Sequence, residues 1–91
     1  MNEFEFTFII GDLMHITKGE DGYTVCLLAT EPSMGTFTSF ENLLYGIAPY
    51  IQNNVVSEAE FKKFISSLSS HFAEDEEVQR LKDEIGEILL K

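Results

Sequence analysis

Phe4, Phe6, Phe8 and Ile10 alternate with Glu5, Thr7 and Ile9 at the start of the chain, behind Glu3. A period of two sends alternate side chains to opposite faces of a strand, so this stretch is predicted to be half-buried with its phenylalanines inward. Gly11 interrupts the pattern as a bulge or bend would. A weaker alternation resumes from Leu13 to Lys18, and Gly19-Glu20-Asp21-Gly22 supplies turn residues. Tyr23 to Thr30 reads as a central strand, apolar on both faces. Glu31-Pro32-Ser33-Met34-Gly35 is the clearest loop, because Pro32 has no N–H for a ladder and Gly35 tolerates positive φ. Thr36–Phe37 is long enough only for a short further strand.

The period then lengthens to that of a helix. Thr38 and Glu41 form a candidate capping box, followed by Phe40, Leu43, Leu44, Ile47 and Ile51 on one face. Pro49 is predicted to end or kink this helix near Ala48, and Asn53-Asn54 marks its stop. Ser57 with Glu60 opens a second helix, whose stripe is Phe61, Phe64, Ile65, Leu68 and Phe72. A third is predicted to begin within Glu74–Glu77 and to carry Val78, Leu81, Ile85, Ile88 and Leu89 inward, with Gly86 as a weak point. Strands first and helices after define an α+β fold. The expected architecture is one domain, residues 1–91, with an N-terminal antiparallel β-meander of about three strands followed by two or three helices packed on one face.

Composition supports a folded core: 44% of the 91 residues are hydrophobic and eight are phenylalanine. Cys26 is the only cysteine, which excludes an internal disulfide and a cysteine-rich zinc site. The opening Met1-Asn2-Glu3 lacks the basic start of a secretory signal. No stretch approaches the roughly 18 apolar residues of a membrane span, so a cytoplasmic location without membrane attachment is expected.

Sixteen acidic residues against six basic ones give a net charge of −10. Such a surface repels nucleic acid and anionic lipid and draws in basic partners. Direct nucleic-acid binding is therefore not expected, whereas a basic, nucleic-acid-binding protein is the natural partner.

Catalytic motifs do not emerge. Gly19 and Gly22 lie in an acidic turn that would repel phosphate, and no Walker, HExxH, GxSxG or EF-hand pattern occurs. Cys26 reads as a small hydrophobe in an apolar strand. His15 and Asp12 fall on opposite faces of a regular strand, while His71 would need metal ligands from elsewhere than its neighbours Glu74 and Asp75. Neither Glu20-Asp21 nor Glu74–Glu77 has the ligand spacing of a calcium loop. The expectation is a non-enzyme with no metal or cofactor.

The acidity has a partial structural explanation. Glu41, Glu58, Glu60, Glu74, Asp75, Glu76 and Glu77 lie near predicted helix starts, where each is favourable by about 0.3–1 kcal/mol. Glu76 with Arg80 and Glu87 with Lys91 are spaced as helix ion pairs. The remaining imbalance is not explained this way, because Arg80, Lys82 and Lys91 are too few to neutralise the last helix. The candidate protein-binding set is therefore Glu20, Asp21, Glu31, Glu74, Asp75, Glu76, Glu77, Asp83, Glu84 and Glu87, standing in for phosphates on a basic surface. That is the manner of a small inhibitor of a nucleic-acid-acting enzyme, as in immunity proteins, antitoxins and phage anti-defence or anti-CRISPR proteins. The alternative is a structural or assembly subunit, a homodimer included, joined through the small side chains of Ser66, Ser67, Ser69 and Ser70 or an uncovered sheet edge. Tyr45 and Tyr50 beside the first helical stripe suit either a core or a binding surface.

Overall fold

The computed structural model describes residues 2–27, 35–54 and 57–90. Within it the alternating segments form β1 (Asn2–Thr7), β2 (Leu13–Gly19), β3 (Gly22–Leu27) and the three-residue β4 (Gly35–Phe37). They pair antiparallel in the order β1-β2-β3-β4, so the fold is α+β with an N-terminal meander. The short segment at Thr36–Phe37 thus adds a fourth strand. The predicted loop residues Glu31, Pro32, Ser33 and Met34 lie outside the described residues.

Register explains the two faces. Phe6 opposite Met14 and Ile16 opposite Val25 place the apolar set of three strands on the same side. On the other side stand Glu3, Glu5, His15, Thr17, Thr24 and Cys26, an open face beyond the helices' cover. Ile10 departs from the alternation. The chain turns after Phe8, with Gly11 N–H donating to the Phe8 carbonyl at 2.8 Å and Phe8 N–H to the Asp12 carbonyl at 2.8 Å, and this lifts Ile9 and Ile10 into solvent.

Four helices follow among the described residues: α1 (Phe40–Asn54), α2 (Glu58–His71), α3 (Glu76–Leu81) and α4 (Ile85–Leu90). The cap of α1 is Ser39, whose hydroxyl accepts from Asn42 N–H at 3.1 Å, and not the predicted Thr38, whose hydroxyl instead accepts from the Asn42 side chain. Pro49 does not end this helix, which runs five residues further. The carbonyl it deprives of its helical donor is that of Tyr45, and Pro49 and Tyr45 both lie on the solvent-exposed side, where that loss costs least. Burial of Ile47, Ala48, Tyr50 and Ile51 holds the helix together on its other side.

The predicted third helix is two short ones. Lys82, Asp83 and Glu84 are all exposed, and i→i−3 bonds from Lys82 N–H to Gln79 and from Glu84 N–H to Leu81 tighten the chain there. The break precedes Gly86, which faces Ile65 and Phe61 of α2 at a distance where a Cβ would make only ordinary van der Waals contact, 3.6 and 3.9 Å.

The buried residues form one cluster across sheet and helices. At its centre Phe64 of α2 meets Phe4, Phe6 and Phe8 of the first strand and its extension, with ring centroids 6.1, 5.2 and 5.3 Å away. A second aromatic group, Tyr23, Phe40 and Phe72, joins β3, α1 and the end of α2. The Phe37 ring lies over Gly46 so closely that a Cβ there would sit 2.4 Å from it, which docks β4 on α1. Gln52 near the other end of α1 donates to the Leu89 carbonyl of α4 at 2.9 Å.

Candidate functional site

Asp75 organises one end of the molecule. Its Oδ1 accepts from Glu77 and Val78 N–H, capping α3, while Oδ2 accepts from Lys18 Nζ and from the Tyr23 hydroxyl, each at 2.6 Å. Lys18 and Tyr23 flank the β2–β3 turn, so these bonds press Gly19-Glu20-Asp21-Gly22 against the start of α3. Glu77 adds a second tie by accepting from Phe40 N–H at 2.8 Å, the first residue of α1. Gly22 adds a third, since its φ of +135° lets it pass beside the Phe37 carbonyl.

These ties gather Glu20, Asp21, Glu41, Glu74, Glu76 and Glu77 at one end. Glu77 is half-buried and the other five are exposed. Among the described residues, the ion pairs are His15–Glu3, Lys18–Asp75 and Lys62–Glu58, so none of the six is neutralised by a neighbour. Lys18, beside the β2–β3 turn, is already bound to Asp75. The expected pair of Glu76 with Arg80 is not formed, and Lys91, the expected partner of Glu87, lies outside the described residues.

Not every sequence candidate belongs to this end. Asp75 is buried beneath it, where a carboxylate serves folding and is withheld from a partner. Asp83, Glu84 and Glu87 are exposed but fall on the α3–α4 turn and on α4, farther along α1. Glu31 lies outside the described residues. Glu41 joins the group although sequence reasoning gave it only a helix-start role, because nothing in the pattern places the start of α1 beside that of α3.

The electrostatics follow from the bonds. Burial raises the pKa of Asp75, but hydrogen bonds from Lys18, Tyr23 and Val78 N–H and the Lys18 charge outweigh it and leave the carboxyl below its usual 3.8. A carboxylate lowered by folding contributes stability above its unfolded pKa, and that contribution is lost as pH falls through the folded value. Burial and the hydrogen bond to Asp75 hold the Tyr23 hydroxyl well above the usual tyrosine range. Tyr50 is held up likewise, by burial and then by its 2.6 Å bond to Asp12.

Asp75→Ala removes a helix cap worth about 1 kcal/mol and strands the buried Tyr23 hydroxyl at about 1–3 kcal/mol. The expected loss at pH 7 is about 2–4 kcal/mol in denaturant unfolding, shrinking as pH falls from the usual 3.8 through the lower folded Asp75 value. A difference between variant and wild type that stays constant from pH 7 down to about 2 would contradict the charged pairing.

The remaining candidates stand elsewhere in the fold. His15 Nε2 lies 3.0 Å from Glu3 Oε1, and His71 packs its ring against Phe4 and Phe72. Cys26, read from the sequence as a small hydrophobe in an apolar strand, is only half-buried, on the open face opposite His15. Among the described residues no cluster of three or more His, Cys, Asp or Glu side chains could hold a metal, and no helix is long and apolar enough to cross a membrane. The serine stripe of α2 is divided. Ser69 is buried where Gln79 of α3 donates to its carbonyl, while Ser66 and Ser70 are exposed beside Lys62 and Lys82 along a shallow cleft. Tyr45 is exposed and Tyr50 buried.

Glu60 is the least expected residue. Ser57 caps α2 by accepting from Glu60 N–H, but the Glu60 carboxylate does not return to Ser57 as a capping box would have it. It reaches across to accept from Ile9 N–H in the β1–β2 loop, buried to 4% exposure, with its second oxygen lacking a partner.

No family model matches the chain, and comparison with curated proteins and with solved structures gave no significant match.

Proposed function

We propose that this chain is a cytoplasmic, non-enzymatic inhibitor that binds the basic surface of a nucleic-acid-acting enzyme through its acidic end. The observation that carries the reading is the gathering of Glu20, Asp21, Glu41, Glu74, Glu76 and Glu77 on three elements pinned together by Asp75 and Glu77, with no cation among the described residues neutralising them. Like charges held together raise the energy of the free protein, and a basic partner relieves that repulsion as it binds. The fixed mounting also lowers the ordering cost of association.

The test is capture of basic nucleic-acid-binding proteins on the immobilised chain. Retention is expected at about 50 mM salt with release by about 500 mM, as phosphate-mimicking contacts require. Reversing Glu20, Asp21, Glu74 and Glu76 to lysine moves the net charge from −10 to −2, two units per site, and is expected to weaken capture at least about tenfold. Capture indifferent to both salt and reversal defeats this reading. It would favour an assembly subunit joined by apolar contact, a role to which Ile9 at 75% and Ile10 at 49% exposure lend themselves.

A further inference from the structure

The far end of β2 from the acidic group carries a different surface. There the β1–β2 loop is braced by its own turn, by the Tyr50 hydroxyl on Asp12 and by the Glu60 carboxylate on Ile9 N–H, yet it presents two isoleucines to solvent. Beside it, a cleft of about 440 Å³ runs between β1 and α2, lined by Glu5, Phe6, Ile9, Glu60, Lys63 and Ser67 among others. Among the described residues β1 is an edge strand, so half of its backbone donors and acceptors face away from β2 toward a ladder position that no described strand fills.

We propose that this cleft receives an extended, arginine-bearing segment of a protein partner as an added strand on β1. Three features select that occupant. The free edge supplies main-chain hydrogen bonds to any extended backbone. The exposed Ile9 supplies an apolar contact for a side chain at an alternate position. The choice of a cation comes from Glu60, a buried carboxylate one partner short, together with Glu5 at the rim. A guanidinium is planar and forked, which suits it to bridging two carboxylates after the small side-chain shift that contact with the buried oxygen requires. Lys63 leaves a net charge of −1 on the lining, from two carboxylates and one ammonium, and the surrounding field of the chain adds to it. The same field argues against an anion in the other cleft, beside Lys62 and Lys82.

The inference shares with the proposed function only the basic character of the partner, and its site is separate. The probe is a capped pentapeptide of alternating valine and arginine, compared with its citrulline counterpart, at about 150 mM salt where the screening length is about 8 Å. Amide NMR shifts are expected at Glu5, Thr7 and Ile9, with about tenfold weaker binding for the citrulline peptide and for Glu5→Gln and Glu60→Gln. Glu5 is exposed, so its variant reports on binding even if Glu60→Gln disturbs the loop. The four-site reversal at the acidic end is expected to leave these shifts in place, so the two proposals fail separately. Equal binding of the citrulline peptide, shifts confined to Glu20, Asp21 and Glu76, or no shifts with millimolar peptide would each overturn the assignment.

Discussion

Replacing Phe64 by alanine is expected to cost about 3–5 kcal/mol, read as a lower urea midpoint with an unchanged slope. Phe64 is fully buried, and its ring is the one against which Phe4, Phe6 and Phe8 all pack. Alanine removes the transfer energy of the ring and leaves a void that β1 and α2 can close only by moving together. A domain of this size is stable by about 5–15 kcal/mol, so the variant is expected near the edge of folding. Phe64→Leu keeps most of the volume and should cost much less. A loss under about 1 kcal/mol for the alanine variant would mean that the phenylalanine cluster is not the packing centre.

Gly22→Ala is the second severe substitution. Its φ of +135° is unfavourable for any residue with a Cβ, and a Cβ there would lie 2.1 Å from the Phe37 carbonyl oxygen, a backbone atom with no freedom to rotate aside. The expected loss is about 3 kcal/mol or more, since β3 and β4 must separate to relieve the overlap. Gly19→Ala supplies the contrast within the same turn. Its Cβ would be 4.0 Å from the nearest atom, the Gly22 carbonyl oxygen, and a change within about 1 kcal/mol is expected. Equal losses at the two glycines would show the turn to be generally fragile, not specifically crowded at Gly22.

The α+β order was legible because the periods are clean where burial is one-sided. Phe4, Phe6 and Phe8 alternate since one face of the sheet is covered, and the α2 stripe is clear since a single helix face meets β1. Elsewhere the deciding partner is remote in sequence. Ile10 fits the alternation, but the turn closed by Phe8 and Asp12 removes it from the strand. Glu60 completes a capping-box pattern, yet the Ile9 N–H, 51 residues away in the chain, takes its carboxylate. Asp75 is one acid among four in a row, and only Lys18 and Tyr23, far upstream, set it apart as the buried one. The acidic end was therefore readable as a set of residue types. Its membership was not, because it depends on which helix starts the tertiary bonds bring together.

The division of the last segment into α3 and α4 bears on how the molecule comes apart. Each has six residues, well short of the roughly 12–15 at which an isolated helix persists in water. Their order is lent by their neighbours: Asp75 ties α3 to β2 and β3, Gln79 ties it to the end of α2, and α1 is held near its first turn by Glu77 and near its last by the Leu89 carbonyl. α3 and α4 thus have no independent melting step, and their amides open only when the elements that hold them give way.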